Sequence, residues 1–190
     1  GCAGAAGGMS EPGSARVTRT FLPSFHCTYT GSSRKAYPNN KVIWQGVYGQ
    51  YRAGYNNFNT GTLWFDEASA ALAGKTVHQA TLSLRRSNGG SSAARNVYLG
   101  TVALRQADWA TTYRPAFTAP SALPAYPAGQ LSRECEGVYD ITSLMAAVQQ
   151  GYGIGVYEPC AAYSGSYSPH YTMFYGLGSD FVPVLTVTYS

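Results

Sequence analysis

The side chains able to do hydrolytic or proton-transfer chemistry are few in this chain and widely scattered. Nine acidic residues occur among 190, and the closest sets are Asp66–Glu67 and Glu134–Glu136, the second flanking Cys135. A glycosidase needs two carboxylates a few ångströms apart on either side of a sugar ring. Asp66 reads instead as a cap for the turn that follows it, and the second pair as loop residues. His26, His78 and His170 are equally readable as surface, hydrogen-bonded or catalytic groups. No GxSxG elbow, HExxH, P-loop or Rossmann glycine pattern occurs. The expectation is a protein that is not an enzyme, with no catalytic residues and no cofactor.

Metal chemistry is equally thin. Cys2, Cys27, Cys135 and Cys160 are 25, 108 and 25 residues apart, without a CxxC pair, so no zinc site is expected. Cys135 and Cys160 each lie at the edge of a predicted strand. A disulfide between them is one arrangement, and free buried thiols, as in a reducing cytoplasm, are the other. Asp140 invites a calcium reading, but calcium takes six or more oxygen ligands. A helix cap accounts for Asp140 without one, so no metal ligand is assigned.

Recognition is a richer theme. The stretch QGVYGQYRAGYNNFNTG, residues 45–61, holds Tyr48, Tyr51, Tyr55 and Phe58, four glycines and a single charge, Arg52. Aromatic anchors separated by Asn and Gly make up an adaptable binding surface. A strand buries only alternate residues, so the rings are too many and too close to be all core. Trp44, Trp64 and Phe65 are the better core candidates. Ligand contact, a subunit interface and local packing all use such rings. A second run, PCAAYSGSYSPHY at 159–171, interleaves Tyr163, Tyr167, His170 and Tyr171 with Ser and Gly in the same manner. The ligand-binding candidates are Tyr48, Tyr51, Arg52, Tyr55, Asn56, Phe58, Tyr163, Tyr167 and His170.

Composition frames these runs. Charged residues make up 12 % of the chain, against about a quarter in ordinary domains. Sixteen Tyr and 22 Gly, with Ser, Thr and Asn, take their place, which favours β structure over a helical bundle. The net charge is +4, and no acid occurs between Pro12 and Phe65, where Arg16, Arg19, Arg34, Lys35, Lys41 and Arg52 fall. That is a mildly positive face that suits an anionic partner, or simply solvated strand ends. Basic runs dense enough for nucleic acid are missing. No apolar run reaches the ~18 residues of a membrane span, and membrane insertion is not expected.

The elements that must carry these residues are short strands. Residues 1–15 read as a linker or tag remnant; their Gly1, Gly4 and Gly7 keep a collagen-like period. The start without Met suggests a processed or excised piece. Residues 16–190 read as one domain. Strands are expected at 15–22, 41–48, 61–66, 77–86, 95–104, 152–158, 170–176 and 182–189. In the fourth, Ala80, Leu82 and Leu84 share one face. ASAALAGKT is a short helical or turn connection closed by Gly74. Pro115, Pro120, Pro124 and Pro127 mark a long irregular loop over 113–130. Residues 137–151 read as the clearest helix, capped by Asp140 or Thr142 near 142–150. Its apolar stripe is Ile141, Leu144, Met145 and Val148, and Gly151 closes it. The sum is an all-β fold, a jelly-roll β-sandwich with one short helix.

The order LAGKTVHQATLSLRR, VYLGTVAL, VYDITSLMAAVQQGYGIGVYE and a closing strand resembles the DNRLRE-type jelly-roll domains found beside bacterial surface and polysaccharide-active proteins. The matching positions are Tyr139, Asp140, Ile141, Thr142, Leu144, Val148, Gly151, Tyr152 and Gly153. The front half, KVIWQGVYGQYRAGYNNFNTGTLWF with LAGKTV and a Gly-Gly loop, is similar to C-terminal modules of bacteriophage tail and tail-fibre proteins. Together the two likenesses cover roughly residues 20–190. They imply a non-enzymatic carbohydrate-binding or receptor-binding module for host attachment, placed on a virion tail or extracellularly. The implied partners are a host-surface glycan and other tail or virion proteins, with homotrimer formation as one assembly. A structural virion module with tyrosine-rich subunit contacts is the alternative, and an appendage of a polysaccharide-degrading enzyme is another. No ligand residues come with the likeness.

Overall fold

A computed structural model describes residues 15–30, 33–36, 40–47, 58–112, 115–118, 130–157 and 170–190. The fold is the expected all-β sandwich, every strand pairing antiparallel. The strands are β1 (Val17–Phe21), β2 (Phe25–Tyr29), β3 (Arg34–Ala36), β4 (Val42–Val47), β5 (Phe58–Trp64) and β6 (Val77–Gly90). They continue with β7 (Leu99–Arg105), β8 (Phe117–Thr118), β9 (Glu136–Asp140), β10 (Tyr152–Val156), β11 (His170–Tyr175) and β12 (Val184–Tyr189). Two short helices, α1 (Asp66–Ala71) and α2 (Met145–Gln149), lie between strands.

The long strand β6 is the spine of one layer. Along one side it pairs first with β12 through Val77–Ser83 and then with β11 near Arg86 and Gly90. Along the other it pairs with β9 through Thr81–Arg85. β1 adds to β12, with Val17 opposite Tyr189, and β4 adds to β11. The second layer runs β3–β2–β5–β10–β7–β8. The layers join where Gly46 and Val47 of β4 meet Asn59 and Phe58 of β5. The molecule thus has two poles, one at Val77 and the other at Gly90.

Between the layers lies an apolar core. Ala80, Leu82 and Leu84 of β6 are fully buried there, as their alternation predicts, with Leu63, Ile154, Phe174, Leu185 and Val187. Burying each of the larger side chains contributes roughly 1.5–3 kcal/mol. A smaller cluster, Cys27, Tyr29 and Trp64 with Trp109 against it, covers the opposite face of the second layer. Trp64 and Phe65 are therefore both buried, as neighbours on opposite faces. Trp64 Nε1 donates to Leu104 O (2.8 Å) and Tyr29 Oη to Trp109 O (2.7 Å), so both polar tips are satisfied. In β10, Gly153 and Gly155 are glycine because a Cβ there would meet Thr62 and Trp64, or Phe117 and Val102.

Four expectations change. Residues 137–140 are strand, not helix: Gly137 and Tyr139 point inward while Glu136, Val138 and Asp140 are exposed. The helix begins only after Asp140 Oδ1 accepts from Thr142 N (2.9 Å) and Oγ1 (2.7 Å), a local competition with the ladder that ends the strand. The predicted stripe of Ile141, Leu144, Met145 and Val148 is buried as expected, and Gly151 (φ +88°) closes it. Trp44 is not core. Ile43 and Gln45 take the inward positions of β4, which leaves Trp44 half-buried on the outer face. Asp66 is not a cap; it is the first residue of α1 and makes no side-chain cap bond. Of the two cysteine arrangements the free-thiol one is found among the described residues, but only Cys27 is buried; the free Cys135 is exposed. Residues 1–14, most of the linker reading, lie outside the described residues.

Candidate ligand-binding surface

Both tyrosine-rich runs are tethered to the Gly90 pole. β4 ends at Val47, which lies opposite Phe58 of β5 on one side and His170 of β11 on the other. β10 ends at Val156, opposite Gly61 of β5 and Leu99 of β7. The two runs therefore leave and rejoin the sandwich at adjacent strand ends. Phe58 and His170 are placed by their backbone in β5 and β11. Tyr48, Tyr51, Arg52, Tyr55, Asn56, Tyr163 and Tyr167 lie outside the described residues.

At the foot of these runs the outer face of β4 and β11 carries aromatic rings. Strand alternation puts Tyr171, Met173 and Tyr175 on that face, with Thr172 and Phe174 buried behind it. Tyr171 stands opposite Gly46, which offers no side chain, and the Trp44 ring fills the space. The two rings stack at 5.0 Å between centroids and 13° between planes. Lys35 Nζ lies 5.5 Å from the Trp44 ring centroid, within cation–π range. Farther along β11, Tyr175 packs against Phe181 (5.1 Å), and the Arg85 guanidinium sits 4.1 Å over the Phe181 ring. Phe181 is 41 % exposed. The result is an aromatic track with a cation near each end.

The layer beneath the track is polar and tied down. Gln45 Nε2 donates to Asn96 O (2.8 Å), and Asn59 Nδ2 donates to Gly46 O (2.9 Å). Trp44 N donates to Thr28 Oγ1 (3.2 Å), which fixes β4 against β2. An aromatic held on such a frame offers a preorganised face with little ordering cost.

The candidate acids and bases take structural partners, Glu134 at the Tyr175 end of the track and the others away from it. Glu67 pairs with Arg19 at 2.5 Å, and Glu134 accepts from Tyr175 Oη (2.8 Å). His78 Nε2 and Ser190 Oγ are 2.7 Å apart. His26 is fully buried, its Nε2 accepts from Leu177 N (2.9 Å), and burial lowers its pKa to about 4. Burial also pushes the Cys27 thiol up to about 12, which keeps it protonated. Among the described residues no group of three His, Cys, Asp or Glu assembles.

Tyr171 belongs to the 159–171 run but not to the expected ligand-binding residues, and Trp44 is expected in the core; the structure brings the two together as a stack. The signal for Trp44 was its position between Ile43 and Gln45, once the inward face of β4 is known. No family model matches the chain, and the search of curated proteins also returned no match.

Proposed function

We propose that the chain is a non-enzymatic carbohydrate-binding module for host-surface attachment, of the kind carried by phage tail proteins and adhesins. One observation carries the reading: two tyrosine-rich runs are tethered to one pole of a rigid sandwich, beside the Trp44–Tyr171 stack. Sugar rings present apolar C–H faces that pack on aromatic rings, and flanking Asn, Ser and Arg supply hydrogen bonds. The likeness to DNRLRE-type domains and tail-fibre modules supports the same reading. Single sites of this sort are weak, and oligomerisation into a fibre would multiply them.

A glycan array probed with the purified chain tests the proposal, alongside Trp44→Ala and Tyr171→Ala variants. Specific glycan retention by the wild type, reduced tenfold or more in both variants, is the expected result. Retention unchanged in both variants refutes the site. If no glycan is retained and light scattering shows the variants losing an oligomer formed by the wild type, the track is a subunit contact of a structural module.

A further inference from the structure

The segment RRSNGGSSAAR, residues 85–95, and the SREC segment, 132–135, bring arginines together at the Gly90 pole. Strand alternation sends Arg86 inward behind Leu82 and Leu84, where it is fully buried. Its Nη1 donates to Ala93 O (2.9 Å) and Leu131 O (2.7 Å), and its Nη2 donates to Ser91 O. Arg133, half-buried, reaches the same loop: its Nε donates to Ser91 O (3.1 Å) and its Nη2 to Gly90 O. Two guanidinium groups thus converge on one carbonyl oxygen. A third arginine, Arg95, is bridged through its backbone to Leu131.

Among the described residues every hydrogen-bond partner of Arg86 and Arg133 is a neutral carbonyl. Among the described residues the buried Arg86 Nε has no partner, and the Nη1 end of Arg133 makes no hydrogen bond. Carbonyl dipoles orient a guanidinium but do not neutralise it, and charges drawn out of water are normally paired. Burial lowers the pKa of Arg86, and repulsion from Arg133 and Arg95 adds to that. The planar fork of an arginine matches the two oxygens of a carboxylate, sulfate or phosphate. The loop also hangs on the aromatic track, because Ser91 N donates to Tyr171 O (2.9 Å).

We propose that the Gly90–Ala93 loop, with half-buried Arg133 and fully buried Arg86 converging on it, is a receptor for an oxyanion group. Resting on the glycan reading above, that group is a carboxylate, sulfate or phosphate borne by an acidic sugar whose ring meets the Trp44–Tyr171 stack.

Thermal unfolding of the full chain in sodium sulfate, against sodium chloride at equal ionic strength, is the first test. Sulfate at ten times its dissociation constant should raise Tm by on the order of 3 °C beyond chloride. Arg16→Gln, an exposed change at the other pole, should keep that rise, and Arg133→Gln should abolish it. Equal stabilisation by chloride, or an undiminished rise in Arg133→Gln, overturns the site. If Arg133→Gln is poorly folded, backbone amide NMR of the wild type decides: saturable shifts centred on Gly90–Ala93 support the site, and their absence overturns it. Sulfated and neutral forms of one oligosaccharide then separate the two proposals. Binding of the sulfated form alone supports both. Sulfate binding with neither oligosaccharide retained keeps the oxyanion site and removes the glycan function. Retention of both forms alike, without a sulfate effect, does the reverse.

Discussion

Acidification should weaken this fold through His26 before most carboxylates titrate. The imidazole is enclosed between the layers, and its Nε2 accepts from the backbone of Leu177 at the start of the β11–β12 connection. Protonation would put a charge into that site and turn the acceptor into a donor facing another donor. Its pKa falls to about 4 in the folded chain, from an ordinary 6.5. The unfolded chain therefore binds the extra proton first as pH drops. The stabilisation is complete above pH 6.5 and is lost as pH falls toward 4. At 1.36 kcal/mol per pKa unit, the loss relative to neutral pH is about 2 kcal/mol at pH 5 and about 3 kcal/mol at pH 4. Urea unfolding of the wild type and of His26→Gln, from pH 7 to pH 4, isolates this contribution, since carboxylates titrate in both. The wild type should lose about 3 kcal/mol more than the variant over that range. Parallel stability curves would refute the reasoning.

Truncating Tyr51 or Tyr55 to Ala should leave Tm nearly unchanged and weaken glycan binding by ~2 kcal/mol, measurable by calorimetry; a large loss of Tm in a monomer would place the ring in the core. Gly155→Ala should destabilise by about 1–3 kcal/mol, because its Cβ would lie 2.6 Å from the Phe117 ring; an unchanged denaturation midpoint would contradict the close approach. Asp140→Ala should cost about 1 kcal/mol by freeing the Thr142 amide, read from the same midpoint. Arg86→Ala should cost about 2–5 kcal/mol, since three carbonyls lose a buried donor and the side chain leaves a void, again read from the denaturation midpoint.

Much of the architecture was legible where a strand has one wet face and one buried face, as in β6 and β12. The alternation of Ala80, Leu82 and Leu84 gave β6, and the Ile141–Val148 stripe gave α2. β2 escaped notice because Phe25–Tyr29 is covered on both faces, so its residues do not alternate in polarity. β9 was absorbed into the helix because the boundary is set by one side-chain hydrogen bond at Asp140. Composition singled out the tyrosine runs, nearly all of whose residues lie outside the described ones, while their strand-end anchors are described. That they start from one pole depends on the pairing of Val47 with both Phe58 and His170, a long-range register that no local pattern carries. Arg86 carried a usable signal, an arginine in phase with Leu82 and Leu84.

The placement of β1 against β12 gives the domain a mechanical polarity. Val17 and Tyr189 are paired at the Val77 pole, some 40 Å along β6 from Gly90 and the Trp44–Tyr171 stack beside it, at about 3.3 Å per residue. A tether joined at Val17 or Tyr189 pulls from the pole opposite the track. When both ends are pulled apart, the five register pairs of β1 and β12 open in sequence, like a zip. That geometry yields at lower force than shearing a ladder whose bonds all bear the load together. A tension applied through one end leaves this zip closed and transmits the load along β6.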